Sequence, residues 1–368
     1  MAATILREDH ILTCHSPEYN WVFNMDSGKF RRWGRHASED PIRSPIGPEI
    51  LDIEVSTICS GSGSPCPWCY KGNTKKGHNM SCERFVEILS TMNKNLTQVA
   101  FGIGDIDANP DLWKMMEVCR NNHIAPNITI SGYRMTSEYY QKLATMCKAV
   151  AVSHYDAEVC REAVARLAQE KLLLRSSLKQ VNIHKLLAQE TVNECFQLIQ
   201  DAGEGKYPGL NAIVFLLLKP KGPRNSLNSV VDLSVWNDLL DAAHKTGVSI
   251  GFDSCSAPMV LKTAENDSSS PLHEFVEPCE SGLFSAYINV DGEFFPCSFS
   301  EGVGEWTRGI QIDGKMCFVN DVWNSSKVAE WVKNLIDSTS KCQKCKVNNC
   351  RACPVYDITP CKEGNHEN

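Results

Sequence analysis

Three cysteines share one loop early in the chain: Cys59, Cys66 and Cys69, within the stretch CSGSGSPCPWCY. Three thiolates can hold three irons of a [4Fe–4S] cluster, which leaves the fourth iron open to another ligand. The glycines and serines between the cysteines let the loop wrap around such a cluster at little steric cost. The alternative is a thioredoxin-like Cys-x-x-Cys redox motif, which would leave Cys59 without a role.

A second set of cysteines lies near the C-terminus. Its members are Cys279, Cys297, Cys342, Cys345, Cys350, Cys353 and Cys361. Two Cys-x2-Cys pairs are typical of a zinc site, but the four-residue gap between them is far shorter than in zinc ribbons. A close run that ends in Cys–Pro is more typical of a ferredoxin, so the pattern favours iron–sulfur clusters over zinc.

Seven further cysteines fall among apolar neighbours, several of them in predicted helices, and are expected to be small buried hydrophobic residues. They are Cys14, Cys82, Cys119, Cys147, Cys160, Cys195 and Cys317.

The elements that must position these thiols alternate between strands and helices. Strands are predicted at 49–56, 97–104, 127–132, 149–155, 180–187, 211–218 and 248–253, with helices of ten or more residues between them. This alternation predicts parallel strands joined by right-handed crossovers. The sequence therefore predicts an α/β fold, a partial (βα)6 TIM-like barrel over residues 49–254. A hairpin-containing extension precedes it (1–48) and a small cysteine-rich domain follows it (255–368).

Chemistry in such folds lies at the carboxyl ends of the strands, so the residues that follow each strand are the candidates. Asp253, His154 and Tyr155 are the candidate proton or hydrogen handlers, and Lys219 and His184 are weaker ones. For Asp253, a turn-capping carboxylate is an equally good interpretation.

The cysteine loop resembles that of the radical S-adenosylmethionine (radical SAM) enzymes, whose pattern is Cys-x3-Cys-x-aromatic-Cys after the first barrel strand. Cys66–Pro67–Trp68–Cys69 matches its second half, whereas six residues separate Cys59 from Cys66. The resemblance implies that the open iron chelates S-adenosylmethionine. It also implies that a reduced cluster cleaves this cofactor to methionine and a 5′-deoxyadenosyl radical.

The same resemblance implies further cofactor contacts. Gly102–Ile103–Gly104–Asp105 is similar to the Gly-Gly-Glu of that family, which meets the ammonium group of S-adenosylmethionine. Ser131 and Ser153 stand where relatives contact the ribose and carboxylate, and Trp68 is at the aromatic position of the loop. A capping or turn role for the two serines is an open alternative.

The C-terminal cysteines resemble a SPASM domain, an extension that holds two auxiliary clusters in some radical SAM enzymes. The resemblance implies that one cluster takes Cys279, Cys297 and Cys353, with Cys255 as the candidate fourth ligand. The other takes Cys342, Cys345, Cys350 and Cys361. Sulfatase-maturing relatives have an Asp where this chain has Ser298, so the resemblance does not extend to that activity.

Charge and hydropathy give no indication of a nucleic-acid partner or of a membrane-spanning segment. The net charge is −7, the pI is about 5.8 and no basic stripe is present, so no nucleic-acid partner is indicated. The first ten residues contain no apolar run of signal-peptide length, and the apolar stretch 212–218 is too short to span a bilayer. We therefore expect a cytoplasmic protein without membrane contacts.

Three functions are compatible with these features. The first is a radical SAM enzyme with three [4Fe–4S] clusters that modifies a peptide or protein side chain and receives electrons from a flavodoxin or ferredoxin. The second is the same chemistry on a small molecule or nucleotide. The third is an iron–sulfur electron-transfer or structural protein that does not cleave S-adenosylmethionine.

Overall fold

The computed structural model describes residues 3–8, 10–64, 66–92, 94–173, 175–337, 347 and 350–356. Its N-terminal part is an antiparallel sheet of four strands in sequence order. These strands are β1 (Thr4–Glu8), β2 (Ile11–His15), β3 (Asn20–Asn24) and β4 (Phe30–Trp33). The β3–β4 pair is the hairpin expected before residue 48, and Gly28 in its turn takes a left-handed φ of +73°.

The main sheet contains the seven strands that the sequence predicts. They are β5 (Ile50–Glu54), β6 (Gln98–Gly102), β7 (Ala125–Ile130), β8 (Ala149–Ser153), β9 (Gln180–Leu187), β10 (Ala212–Leu217) and β11 (Ile250–Phe252). Each pairs in parallel with the next one along the chain. The prediction of an α/β fold with a large parallel sheet is confirmed.

Helices connect the strands and continue after them. They are α1 (Cys82–Thr91), α2 (Leu112–Asn121), α3 (Ser137–Met146), α4 (Ala157–Lys171), α5 (Val192–Gly203), α6 (Leu233–Thr246), α7 (Ala257–Thr263), α8 (Leu272–Phe275) and α9 (Ser326–Asp337). Ser81, Thr136 and Asp156 begin three of them, and each side chain accepts a backbone N–H three residues on. No helix in the described ranges is long and apolar enough to cross a membrane.

Three short strands extend the same sheet beyond β5. They are β12 (Ser285–Ile288), β13 (Glu293–Phe295) and β14 (Ile310–Gln311). β12 pairs with β5 in parallel, and β13 and β14 follow in antiparallel order. The sheet order is therefore β11-β10-β9-β8-β7-β6-β5-β12-β13-β14, so the segment that carries Cys297 is built onto the strand that precedes the cysteine loop.

The two faces of the main sheet differ in polarity, as β9 illustrates. Val181, Ile183 and Leu187 are fully buried and belong to the core shared with the helices. Asn182 and His184 alternate with them, point to the opposite face and are partly exposed. Since side chains alternate along a strand, one face packs on the helices while the other presents polar groups to an accessible space.

Candidate active site

The cysteine loop (residues 59–69) begins five residues after β5 ends. Backbone hydrogen bonds hold it: Cys59 donates its N–H to Thr74 O (3.0 Å) and Cys69 donates to Cys66 O (3.3 Å). The Arg224 guanidinium adds a long bond to Cys66 O (3.4 Å). The fold thus places three partly exposed thiols at the carboxyl end of the first strand of the parallel sheet.

The three thiols lie close enough to influence one another electrostatically. Burial raises the pKa of Cys66, and negative charge on Cys59 and Cys69 raises it further. Burial also raises the pKa of Cys59, to which Asp105 and Cys69 contribute. Mutual repulsion of this kind disfavours three free thiolates, and a bound cation or cluster would relieve it.

Within the described residues, no group of three or more His, Cys, Asp or Glu side chains has the spacing of a ligand set for a single metal ion. In a [4Fe–4S] cluster each thiolate binds a different iron, so its ligands lie further apart than those of one zinc ion. The loop offers soft donors on a flexible, glycine-containing backbone, which fits a cluster better than a compact single-ion site.

Gly104 and Asp105 pack directly against the cysteine loop. The Asp105 carboxylate is buried and accepts the Ser60 N–H at 2.9 Å, while its own N–H donates to Ile58 O at 3.2 Å. A Cβ on Gly104 would lie 2.4 Å from Ile58 O and 2.5 Å from the Cys59 Cβ. This turn therefore holds the start of the loop. The contact predicted between Asp105 and S-adenosylmethionine stays a prediction, and Gly102 has no comparable close approach.

Aromatic and hydroxyl groups surround the same loop. The Trp68 and Tyr155 rings lie 5.9 Å apart, and the Tyr155 hydroxyl hydrogen-bonds to Ser153. The Trp68 Nε1 is buried and has no hydrogen-bond partner in the described part of the chain. The Ser131 Oγ accepts the Tyr133 N–H at 3.3 Å. Trp68, Tyr155 and Ser153 thus come together as expected, with an indole N–H free to donate to a bound molecule.

His154 lies elsewhere, although it is next to Tyr155 in sequence. Its Nε2 is 3.1 Å from the Tyr207 hydroxyl, and Tyr207 in turn lies against Arg161 of α4. Its Nδ1 is buried without a partner among the described residues. His154 therefore points into the helix layer, and nothing in this geometry supports the catalytic role predicted for it.

The surroundings of His154 predict a pH dependence of stability. Burial, with a contribution from the positive charge of Lys185, lowers its pKa from 6.5 to about 4. Between pH 4 and 6.5 the unfolded chain binds a proton that the folded chain does not, so this histidine weakens the fold as the pH falls. We expect the free energy of unfolding of the apoprotein, relative to His154→Gln, to rise from pH 4 to pH 6.5. Urea titrations at several pH values measure the free energy of unfolding. His36→Gln, which replaces an exposed histidine, is the control. If the free energies of wild type and His154→Gln change in parallel with pH, the prediction is wrong.

His184 is the histidine on the open face of the sheet. It is paired in register with Ser153, and its Nδ1 is 3.3 Å from the Thr129 hydroxyl. Burial lowers its pKa to about 4, so the imidazole is neutral at pH 7. It is better placed than His154 to meet a molecule bound above the sheet. The alternation of β9 was the sequence signal that could have separated the two histidines.

A second group of thiols lines an enclosed cavity beside the first. Cys255, Cys279, Cys297 and Cys353 all contribute to its wall, together with Lys219 and Arg351. Phe299 N–H donates to the Cys297 Sγ at 3.3 Å, and the Cys279 Sγ lies 3.1 Å from the Ser281 hydroxyl. We call this space the four-thiol cavity. It unites the three cysteines predicted for one auxiliary cluster with Cys255, the candidate fourth ligand.

The ligand set predicted for the other auxiliary cluster falls only in part within the described residues. Cys350 packs near the small apolar group of Ala257, Leu261 and Val347. Cys342, Cys345 and Cys361 lie outside the described residues. Of the seven cysteines expected to be buried, five are fully buried, Cys82 is partly buried and Cys317 is exposed. The fully buried ones are Cys14, Cys119, Cys147, Cys160 and Cys195.

Asp253 is held in an ion pair. Its carboxylate bonds to the buried Lys219 ammonium and to the Ser256 hydroxyl, and it accepts the Leu217 N–H at 3.3 Å. These bonds tie the end of β10 to the turn after β11. The carboxylate is thus occupied with structural contacts, but it caps no backbone N–H of the turn that it begins.

One aromatic pair joins the two groups of thiols. The ring of Tyr70, directly after Cys69, stacks on Phe299 with centroids 4.4 Å apart. Phe299 follows Cys297 by two residues and lines the four-thiol cavity. Burial raises the pKa of Tyr70 well above its usual value, and its hydroxyl bonds to Ser298. Tyr70 and Phe299 were not among the predicted site residues, and their only signal in the sequence was that they lie close to predicted ligands.

The chain resembles known proteins in its fold but not detectably in its sequence. No protein-family model matches the sequence, and no curated protein matches it. The structure is similar to that of Streptococcus suis SuiB bound to precursor peptide SuiA, with a TM-score of 0.69 and 13% identity over 94% of each chain. SuiB and anSMEcpe are radical SAM/SPASM enzymes. The chain has their fold.

Two further structures extend the comparison. SuiB bound to S-adenosylmethionine has a TM-score of 0.67 at 13% identity, covering 92% of this chain and 93% of that one. anSMEcpe with bound AdoMet and Cp18Cys peptide has a TM-score of 0.60 at 15% identity, covering 86% of this chain and 92% of that one. The predicted resemblance is thereby confirmed at the level of the fold.

Proposed function

We propose that the chain is a radical SAM enzyme that modifies a side chain of a peptide or protein. The observation that carries the proposal is the pair of neighbouring thiol groups. Three cysteines follow the first strand of a parallel sheet, and a separate cavity is lined by four more. An electron-transfer protein needs no S-adenosylmethionine site, whereas three thiols leave one iron of a [4Fe–4S] cluster free for a substrate ligand.

Cys59, Cys66 and Cys69 would hold the first cluster. When bound and reduced, it supplies the electron that splits S-adenosylmethionine into methionine and a 5′-deoxyadenosyl radical. The residues of the chain would orient the cluster and its cofactor and shield them from solvent. Gly104 and Asp105 hold the start of the loop against the sheet, and the rings of Trp68 and Tyr155 pack beside it.

S-adenosylmethionine would lie at the carboxyl ends of β6, β7 and β8. We assign its contacts to Gly102, Gly104, Asp105, Ser131 and Ser153, with Trp68 beside the cluster. The free indole N–H of Trp68 and the accessible polar face of the sheet support this assignment. Asp253, His154 and Tyr155 were the sequence candidates for proton handling. Of these, Tyr155 retains support from its position near the loop.

Two auxiliary clusters complete the proposal, making three in all. Cys255, Cys279, Cys297 and Cys353 would hold one, and Cys342, Cys345, Cys350 and Cys361 the other. We further propose that the parallel sheet forms a partial (βα)6 barrel over residues 49–254, that residues 255–368 form a SPASM-type domain, and that a cytoplasmic flavodoxin or ferredoxin donates electrons. The separate four-thiol cavity supports the first of the two auxiliary sites.

A peptide substrate is supported by two of the similar structures. SuiB is bound to precursor peptide SuiA, and anSMEcpe is bound to Cp18Cys peptide. In this chain the open face of the sheet carries Asn182, His184 and Thr129, which can hydrogen-bond to a backbone amide or a polar side chain. A small molecule or nucleotide could use the same groups, so the substrate class is decided by experiment.

The test is the formation of 5′-deoxyadenosine. The protein is reconstituted without oxygen and mixed with S-adenosylmethionine, with and without dithionite, and the nucleoside is quantified by chromatography. Dithionite-dependent 5′-deoxyadenosine is the expected result, with a faster rate when a peptide pool is added than when a nucleotide pool is added. A reduced, iron-loaded protein that forms none would refute the proposal and favour the electron-transfer alternative.

A further inference from the structure

Lys219 is a buried cation at the wall of the four-thiol cavity. Only 4% of the residue is exposed. Its ammonium hydrogen-bonds to the Cys255 thiol and lies 4.6 Å from the centre of the Phe299 ring. A lysine this deeply buried needs favourable electrostatic contacts to stay charged, because taking an ammonium group out of water is unfavourable.

The ion pair with Asp253 helps to keep the lysine charged, but only Lys219 of this pair lines the cavity. Asp253 bonds to the ammonium and is not among the residues that line the cavity, whereas Lys219 is. The charged side chains among the described lining residues are Lys219 and Arg351, and both are cations. Arg351 donates to the Cys279 carbonyl at 3.1 Å. Asp253 also reaches the thiols, since after burial its negative charge raises the pKa of Cys255, but the positive charge of Lys219 lowers that pKa by more than Asp253 raises it. At Cys255 the cation of the pair is therefore the stronger influence.

Positive charge affects a thiolate cluster in a definite direction. Adding one electron makes the cluster more negative, so a nearby cation stabilises the reduced state more than the oxidised one. An N–H donated to a ligand sulfur acts in the same direction, since hydrogen bonds to the sulfurs and net charge both tune cluster potentials. The low exposure of Lys219 keeps water from screening its charge.

We propose that Lys219 is a positioning residue that raises the reduction potential of the cluster held by Cys255, Cys279, Cys297 and Cys353. This inference rests on the proposed function, because it requires a cluster at that site. The couple gains one electron from an external reductant and no bond is made or broken. A higher reduction potential favours electron transfer from the first cluster to this one. The Tyr70–Phe299 stack lies between the two groups of thiols.

Potentiometry with electron paramagnetic resonance detection tests the inference on the full-length, reconstituted protein. The relevant signal is the one that disappears in Cys297→Ala. We expect Lys219→Met to lower the midpoint potential of this signal. At a fixed potential near the midpoint, its reduced-to-oxidised ratio should fall about tenfold, or roughly 59 mV for one electron. Lys219→Arg keeps the charge and should stay near the wild-type value.

Two further variants keep the test decisive. Lys219→Gln retains a donor without the charge and should fall between wild type and Lys219→Met, which covers the case in which the apolar variant does not load iron. Lys185→Met is the matched control. Lys185 is equally buried and ion-paired, but its partner is Glu194 on the helix side of the sheet. It should leave the potential unchanged.

The outcomes separate the inference from the proposed function. An unchanged or higher potential in Lys219→Met and Lys219→Gln, with the cluster present, would overturn the role of Lys219 alone. A lowered potential in Lys219→Arg equal to that in Lys219→Met would overturn it too, since the charge would then be irrelevant. A wild-type protein that forms no cluster lost in Cys297→Ala would overturn the auxiliary site together with this inference.

Discussion

Replacement of Cys66 by alanine is expected to abolish 5′-deoxyadenosine formation. Cys66 is the middle thiol of the cysteine loop, and burial, followed by negative charge on Cys59 and Cys69, raises its pKa. With two thiolates left, the loop cannot hold three irons of a cluster. We expect the iron content to fall from about 12 to about 8 per chain, because the auxiliary sites keep their ligands.

The control for this variant is Cys317→Ala. Cys317 is exposed and lies outside both thiol groups, so its loss should change neither the iron content nor the nucleoside yield. Iron assays and chromatography on the two variants, prepared in parallel, make the comparison. Wild-type 5′-deoxyadenosine formation by Cys66→Ala would mean that the cysteine loop is not the site of cleavage.

A methyl group on Gly104 should disrupt the same site without replacing any of its cysteines. The added Cβ would lie 2.4 Å from Ile58 O and 2.5 Å from the Cys59 Cβ, and neither neighbour is the flexible end of a long side chain. Overpacking of this kind costs about 1–3 kcal/mol and sometimes more. We expect Gly104→Ala to lower the free energy of unfolding of the apoprotein by about 3 kcal/mol and to reduce iron loading and cofactor cleavage together.

Gly251→Ala is the matched control. The nearest atom to a Cβ on Gly251 is the Val214 Cγ2 at 3.8 Å, which is an ordinary contact. Urea unfolding of the two apoproteins gives the free energies, and iron assays after reconstitution give the loading. Equal stability and equal iron loading for the two variants would show that the turn at Gly104 does not position the cysteine loop.

The parallel sheet was predictable because its signal is local and repeated. From β5 to β10 each strand is followed by a helix of ten or more residues, and each strand of the series pairs with the next along the chain as far as β11. β12 breaks this rule. It has four residues, its parallel partner β5 lies more than 230 positions earlier, and the helices that precede it, α7 and α8, are shorter than the others that connect the parallel strands. Long-range pairing of so short a strand leaves no local pattern to recognise.

The sequence indicated which thiols lie together at the candidate site, but not which other side chains surround them. The cysteine loop stood out by its spacing, and the resemblance to a SPASM domain implied the grouping of Cys279, Cys297 and Cys353, to which Cys255 was added as a candidate. All four line one cavity. The face on which a strand-end residue lies was harder to foresee. His154 and Tyr155 are adjacent in sequence, yet one contacts Tyr207 in the helix layer and the other contacts Trp68.

The buried ion pairs could not be predicted from the sequence either. Lys219 and Asp253 each stood out as strand-end residues, but their separation of 34 positions gave no sign that they bond to each other. Pairing between distant loops depends on how the strands are ordered in the sheet. The consequence is practical, because Asp253 becomes a partner of a buried lysine in place of a free carboxylate.

The number and kind of metal atoms bound by the wild-type protein is the most direct test of the central claim. The protein is purified and reconstituted without oxygen, and iron, sulfide and zinc are quantified per chain. Three [4Fe–4S] clusters predict about 12 irons with an equal amount of sulfide and no zinc. About 8 irons would mean that one predicted cluster is missing, which the Cys66 and Cys297 variants would locate. Zinc without sulfide would contradict the iron–sulfur account of this protein.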